Sequence, residues 1–288
     1  MKSIIKNNKL TAVINHHGAE LSSLKNSNGI EFIWQADKAI WGRHAPVLFP
    51  VVGKLRDDSY TYEDKKYSLP QHGFARDKDF KIINILEDEI KFSLKSDEEV
   101  LKKYPFEFEL QINYKLHGNK LTVAYTVINN DEIPMPFSIG AHPGFSCPIG
   151  NDEKFEDYEI TFSAVEILET ALLQNGLFNG ERKLLSASGN SIQLDAGTFA
   201  NDALVFENLQ SEFVSLCSTK TKHFVKMSIK GFPYLGIWSK PGAHFVCLEP
   251  WFGKADSTDE NGNILNKAGI NIINSQQIFH CSYEIEVG

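Results

Sequence analysis

The run QINYKLHGNKLTVAYTVIN, residues 111–129, limits the folds open to this chain more than any other stretch. Ile112, Tyr114 and Leu116 alternate with polar residues before Gly118-Asn119, and Leu121, Val123, Tyr125 and Val127 alternate after it. A period of two puts the apolar side chains on one face of a strand. A Gly-Asn pair between two such runs is what a tight hairpin turn requires. The same signature recurs in KLTAVINHHGAELSSL around Gly18, in KKYSLPQHGF, FKIINILEDEIKFSLKS, YEITFSA, FVSLCS, FVKMSIKG, LGIWSK, HFVCLEP and QIFHCSYEIEV. No long stretch carries apolar residues at helical spacing. One short connector helix is expected near DEEVLKKYP, ended by Pro105. The pattern predicts one all-β domain over residues 1–288, a large sandwich of antiparallel sheets packed face to face.

Composition fits that reading. The chain is 42% hydrophobic and 23% charged, enough to build a large core. A net charge of −8 and a pI near 5.6 argue against nucleic acid and anionic membranes as partners. Cys147, Cys217, Cys247 and Cys281 form no CxxC pair, which argues against metal ribbons, redox pairs and a disulfide framework. The opening MKSIIKNNKLTAVI has no apolar run of signal-peptide or membrane-span type, so a cytoplasmic location is expected.

Three stretches break the alternation with polar residues in apolar or Gly/Pro settings. LFPVVGKLRDDSY with LPQHGFARDKDF carries Lys54, Arg56, His72 and Arg76; IGAHPGF carries His142; FVCLEPWFGKADS carries Glu249. Pro143 disfavours helix at His142, so this histidine is either a plug at a strand end or a reagent. His72 has the same two readings. Glu249 follows an apolar run and precedes Pro250 and Trp251. A carboxylate there is costly unless paired or used. Pairing with Lys54 or Arg56 is one reading; a raised pKa suited to a general base is the other. Trp251 is the tryptophan placed to line such a site and stack on a sugar ring, while Trp34, Trp41 and Trp238 read as core. The remaining histidines read as structural or exposed, His44 the least clearly.

Taken together, these stretches resemble the aldose 1-epimerase (galactose mutarotase-like) family, in the form of the bacterial subgroup often encoded near lactose genes. The motifs run in family order from about residue 46 to 256, and LTAVINHHGAELSSLKNSNGIEFIW resembles the family's opening hairpins. The resemblance implies a supersandwich with its site on a broad concave face. It implies interconversion of the α and β anomers of an aldose, without cofactor or metal. IGAHPGF matches the segment of the general acid, His142, and FVCLEPWFGKADS that of the base, Glu249. HGF matches the substrate-binding His72, and NDALVFENL puts Asp202 on sugar hydroxyls. The family's usual arginine falls at Lys54 when Tyr60 is kept in register. Arg56, two residues on, would share a strand face with Lys54. Gly140 and Gly144 would let the sugar approach the backbone, with Pro143 fixing the chain under His142.

Three other functions compete. A sugar-phosphate epimerase needs a cation surplus, but residues 43–80 hold seven cations against six acids. A non-catalytic carbohydrate-binding sandwich would not need a poised acid–base pair. A metal-dependent hydrolase using His72, His142 and Glu249 lacks HxH or HExxH spacing.

Overall fold

The computed structural model describes residues 1–288. The hairpin forms as the sequence requires: Phe108–His117 pairs with Lys120–Asn129 in unbroken register from His117↔Lys120 to Phe108↔Asn129. Gly118 supplies the positive φ of the turn, 58°. This hairpin sits in a nine-stranded sheet that runs from the edge strand Ser191–Gln193 to the opposite edge Lys81–Ile85. The second large sheet has eight strands. Its order is Leu177–Leu184, Glu169–Gln174, Leu204–Glu207, Tyr234–Trp238, Phe245–Phe252, Ile139–Ala141 and Val47–Leu48, with Gly144–Ser146 also paired to Phe245–Phe252. All pairings within both sheets are antiparallel.

Both sheets feed one core of 63 buried residues. Ile112, Tyr114, Leu121, Val123 and Ile285 come from the nine-stranded sheet; Ile139, Leu204, Leu235, Ile237, Val246 and Leu248 come from the other. The expected connector helix is Glu98–Leu101, capped by Asp97. The opening hairpin, Leu10–Asn15 with Leu21–Asn26, gains a third strand, Lys2–Lys6, that the sequence reading did not assign. Its Gly18 turn seats against residue 76: a Cβ on Gly18 would lie 2.8 Å from the Arg76 carbonyl oxygen. All four cysteines are free thiols, and no helix is long and apolar enough to cross a membrane.

The strand Phe245–Phe252 explains how one segment serves both core and site. It is buried along nearly its whole length because both of its faces are covered. Val246 and Leu248 point into the main core. Phe245 and Cys247 point the other way, against Trp34, Trp41 and Trp238, and Trp251 joins a third cluster with Leu48, Val52 and Val205. Alternation therefore puts Glu249 on the outer face, among aromatic side chains.

Candidate active site

His142 and Glu249 meet because two short strands flank a gap in one ladder. Ile139 pairs with Phe252 and Gly140 with Trp251; beyond the gap, Gly144 pairs with Cys247 and Phe145 with Val246. The register is the same on both sides, so His142 stands opposite Glu249. Pro143 has no N–H to give the ladder, though its carbonyl accepts from Leu248 N at 3.3 Å. His142 Nε2 lies 3.3 Å from Glu249 Oε2. The imidazole is stacked on Trp41 with ring centres 5.0 Å apart, and meets Trp238 edge-on at 5.8 Å and His72 edge-on at 5.5 Å.

His72 is fixed by a different device. Its backbone φ is 67° and that of Gly73 is 70°. Gly73 is required there, since a Cβ would lie 2.2 Å from the Phe49 carbonyl oxygen. His72 N donates to Gly53 O at 2.8 Å, and Gly53 N donates to His72 Nδ1 at 3.1 Å. A neutral ring accepting at Nδ1 carries its hydrogen on Nε2; the Gln71 amide nitrogen 3.3 Å away only donates, so it does not accept that hydrogen.

The glycines of IGAHPGF make room for tryptophans, which corrects the expectation that they admit the sugar. A Cβ on Gly140 would lie 2.5 Å from Trp251 Cδ1, and one on Gly144 would lie 2.8 Å from Trp41 Cζ3. Gly236, across the strand from Glu249, makes room for the far edge of the Trp251 ring.

Burial dominates the electrostatics. Glu249 is 2% exposed and His142 8% exposed. Desolvation pushes the Glu249 carboxyl well above the usual carboxylate range, and the negative Asp202 adds to that rise. Desolvation holds the His142 imidazole down to about 3 and the His72 imidazole well below its ordinary value. Burial thus opposes an ion pair between the two and favours the proton on the Glu249 carboxyl over the imidazole. A carboxylate nearby ordinarily raises an imidazole, but at His142 the cost of burial is the larger effect. Glu249 Oε2, His142 Nδ1 and Trp251 Nε1 are buried with no hydrogen-bond partner in the protein.

These groups line a cavity of about 320 Å³, a size suited to a small organic ligand. His72, His142, Glu249, Asp202 and Trp251 all line it. Asp202 sits exposed at the rim with φ 77°, its Oδ1 accepting from Ala203 N. Lys54 and Arg56 are not among the lining residues. The shared strand face expected of them does not exist: Arg56 opens a 3-10 turn, Arg56–Asp58, and Lys54 precedes it outside any strand. The Arg56 guanidinium instead donates to Glu260 O at 2.8 Å on the surface.

The cation that does line the cavity is Arg76. Its Nη2 donates to Gln71 O at 2.6 Å, while its Nε is buried without a hydrogen-bond partner. Burial, with Arg43 nearby, pushes it down to about 10. Arg76 sits four residues after His72 in HGFAR, on the Ala75–Asp77 turn, and that proximity was the available signal. Trp41 and Trp238, read as core, also line the cavity. His142, Cys247 and Glu249 bring ligand-type atoms within 4.8 Å of one another, the only such trio close enough to hold a metal ion. It differs from the two-histidine set weighed from sequence, and burial keeps the Cys247 thiol strongly protonated.

A sugar-sized cavity on the outer face of an antiparallel supersandwich, with a buried carboxyl–imidazole pair at its base, defines a mutarotase-like protein. The comparisons agree. Residues 2–269 match the family model described as aldose 1-epimerase. The chain is 36% identical to protein LacX of Lactococcus lactis subsp. lactis, over 91% of this chain and 90% of that one. It superposes on a galactose mutarotase related enzyme of Lactobacillus acidophilus with TM-score 0.96 and 38% identity, covering 100% of this chain and 97% of that one. A galactose mutarotase-like protein of Lactobacillus casei gives TM-score 0.94 and 33% identity over the whole of both chains. The chain belongs to the aldose 1-epimerase family, and is an isomerase acting on carbohydrates.

Proposed function

We propose that this protein is a mutarotase that interconverts the α and β anomers of a neutral aldohexose, with Glu249 as base and His142 as acid. The observation that carries the reading is the buried pair at 3.3 Å, each residue with a buried atom left unpartnered by the protein. Ring opening needs one group to take the proton of the anomeric hydroxyl and another to protonate the ring oxygen as the bond between C1 and that oxygen breaks. The aldehyde then turns about the C1–C2 bond. Closure on its other face returns both protons, so each group ends as it began.

The pair needs one proton in total, on His142 once the sugar is bound. Sugar hydroxyls donating to Glu249 Oε2 favour its carboxylate and move the proton to the imidazole. His72, with hydrogen on Nε2, donates to the ring oxygen or its neighbour and holds the open chain. Asp202 accepts from hydroxyls at the rim, and Trp251 offers its ring to the apolar face of the sugar. We assign the binding cation to Arg76 in place of Lys54 or Arg56, because it lines the cavity and they do not.

The cavity sets Arg76 against Asp202 and Glu249, which favours a neutral sugar over a sugar phosphate. A binder without catalysis would gain nothing from burying the pair. Polarimetry or proton NMR of freshly dissolved aldoses tests the reading directly. Catalysed anomer exchange on at least one neutral hexose is expected, and exchange no faster than in buffer across the panel would overturn it.

A further inference from the structure

We infer that the buried Asp256–Lys267 pair positions His72 for the reaction by holding Gly53, the residue that fixes the His72 ring. The inference rests on the mutarotase reading and adds two residues that never touch the sugar. Asp256 lies in FVCLEPWFGKADS, just beyond the end of the Glu249 strand, Phe245–Phe252. Lys267 follows the 3-10 turn Ile264–Asn266. Both side chains are 2% exposed, and Lys267 Nζ donates to Asp256 Oδ1 at 2.6 Å. A buried ion pair adds little net stability, because desolvation of both charges offsets their attraction. Burial lowers the Lys267 ammonium from its ordinary pKa. Apolar side chains could fill the same space without that cost. What the pair supplies is direction.

Asp256 joins segments that are distant in the chain. Its Oδ2 accepts from Arg56 N at 2.8 Å, and its N donates to Lys54 O at 2.9 Å. Its carbonyl accepts from Phe178 N at 2.9 Å. Lys267 Nζ donates a second time, to Lys254 O at 2.7 Å, so the loop is held on both sides of Ala255. Gly53 lies directly on Ala255: a Cβ on Gly53 would come within 2.5 Å of Ala255 Cβ. Gly53 and Ala255 line the cavity, whereas Asp256 and Lys267 stand behind them.

Gly53 in turn sets His72. Its N–H donates to His72 Nδ1 at 3.1 Å, and its carbonyl accepts from His72 N at 2.8 Å. A neutral imidazole that accepts at Nδ1 carries its hydrogen on Nε2, the form that donates to the sugar. If Gly53 shifts, Nδ1 loses its donor and both tautomers become populated. The ion pair therefore reaches the reaction through one backbone N–H.

The test reads the His72 ring and the kinetics together. Asp256→Leu combined with Lys267→Met removes both charges and keeps apolar bulk, so a melting temperature near the parent's is expected. Asp256→Asn is the milder variant and carries the test if the double variant does not fold: one of its terminal atoms becomes a donor, so Arg56 N and Lys267 Nζ no longer each meet an acceptor. Nitrogen NMR of the imidazole rings, with the His72 signal identified by its loss in His72→Asn, is expected to show the Nε2–H form in the parent and mixed tautomers in the variants. Their kcat/KM is expected to fall by about tenfold to a hundredfold, mainly through kcat, the scale set by a misplaced reacting group. In a His72→Asn background the same substitutions should cost less than about twofold, because the route they disturb is already gone. Parent-like kcat/KM, a parent-like His72 tautomer, or a full further loss on top of His72→Asn each overturns the positioning role and leaves the mutarotase reading intact. Anomer exchange absent from the parent overturns the mutarotase reading, and the NMR comparison then still decides whether the pair sets the ring.

Discussion

The indole of Trp251 lies across Gly236, its diagonal neighbour on the adjacent strand, so closely that a Cβ there would come within 2.4 Å of two ring carbons. The ring has no alternative bed, because Gly140 on the other side is filled in the same way. Gly236→Ala must therefore tilt the indole into the sugar cavity or strain the sheet. Overpacking of this kind costs about 1–3 kcal/mol. We expect a lower melting temperature together with a raised KM. A variant matching the parent in both would show that the ring position does not matter to either.

Glu249→Gln keeps size and hydrogen bonding but removes the proton acceptor. Turnover is expected to fall by about 10²–10⁴-fold, the usual worth of one positioned proton transfer. His142→Asn should act in the same range and mainly on kcat. Loss of only a few-fold in a folded Gln variant would remove Glu249 from the mechanism.

The two variants should move stability in opposite senses with pH. Glu249 has a raised folded pKa, so above about pH 4.3 the unfolded chain sheds a proton that the native state keeps. Native stability then falls as pH rises, and Glu249→Gln should gain more over the parent at pH 8 than at pH 5. His142, held down to about 3, stays neutral where the unfolded imidazole protonates below about pH 6.5. That stability is lost as pH falls, so His142→Asn should gain more at pH 5 than at pH 8. Thermal melts at both values check the signs.

Arg76→Met should lower kcat/KM by about tenfold to a hundredfold, the worth of a buried hydrogen bond from a charged donor. Lys54→Met and Arg56→Met should stay within about twofold of the parent, a difference of roughly 0.4 kcal/mol. The reverse order would return the cation role to the Lys54 segment.

What the sequence made legible follows its periodicity. The hairpin around Gly118 could be read because one buried face imposes alternation, and the strand at Glu249 because two buried faces impose an apolar run that a carboxylate interrupts. Leu177–Leu184 was not legible, because much of that edge strand is exposed and its pairing leaves no apolar pattern. His142 and Glu249 stood out as polar residues in settings that otherwise exclude them. Arg76 stood in one of those stretches but was given no role, because the turn at Gly18 that packs against its backbone is 58 positions away in the chain. Lys54 was misplaced because the chain leaves the extended state there: Gly53 has φ 73°, beside Ala255. Trp41 and Trp238 carry no local sign that separates a cavity wall from a core.

The unbroken register across the gap at His142 has a consequence for how such a protein can change. The spacing of His142 and Glu249 is set by the separation of two neighbouring strands, so no loop has to be held in place to keep it. Other residues lining the cavity, Asp202, Arg76 and Phe178, come from separate segments elsewhere in the chain. Loops can be lengthened or exchanged to reshape the cavity while the His142–Glu249 distance is inherited unchanged. A one-residue insertion between Phe245 and Glu249 would do the opposite, turning the carboxylate into the core and a core side chain out into the cavity.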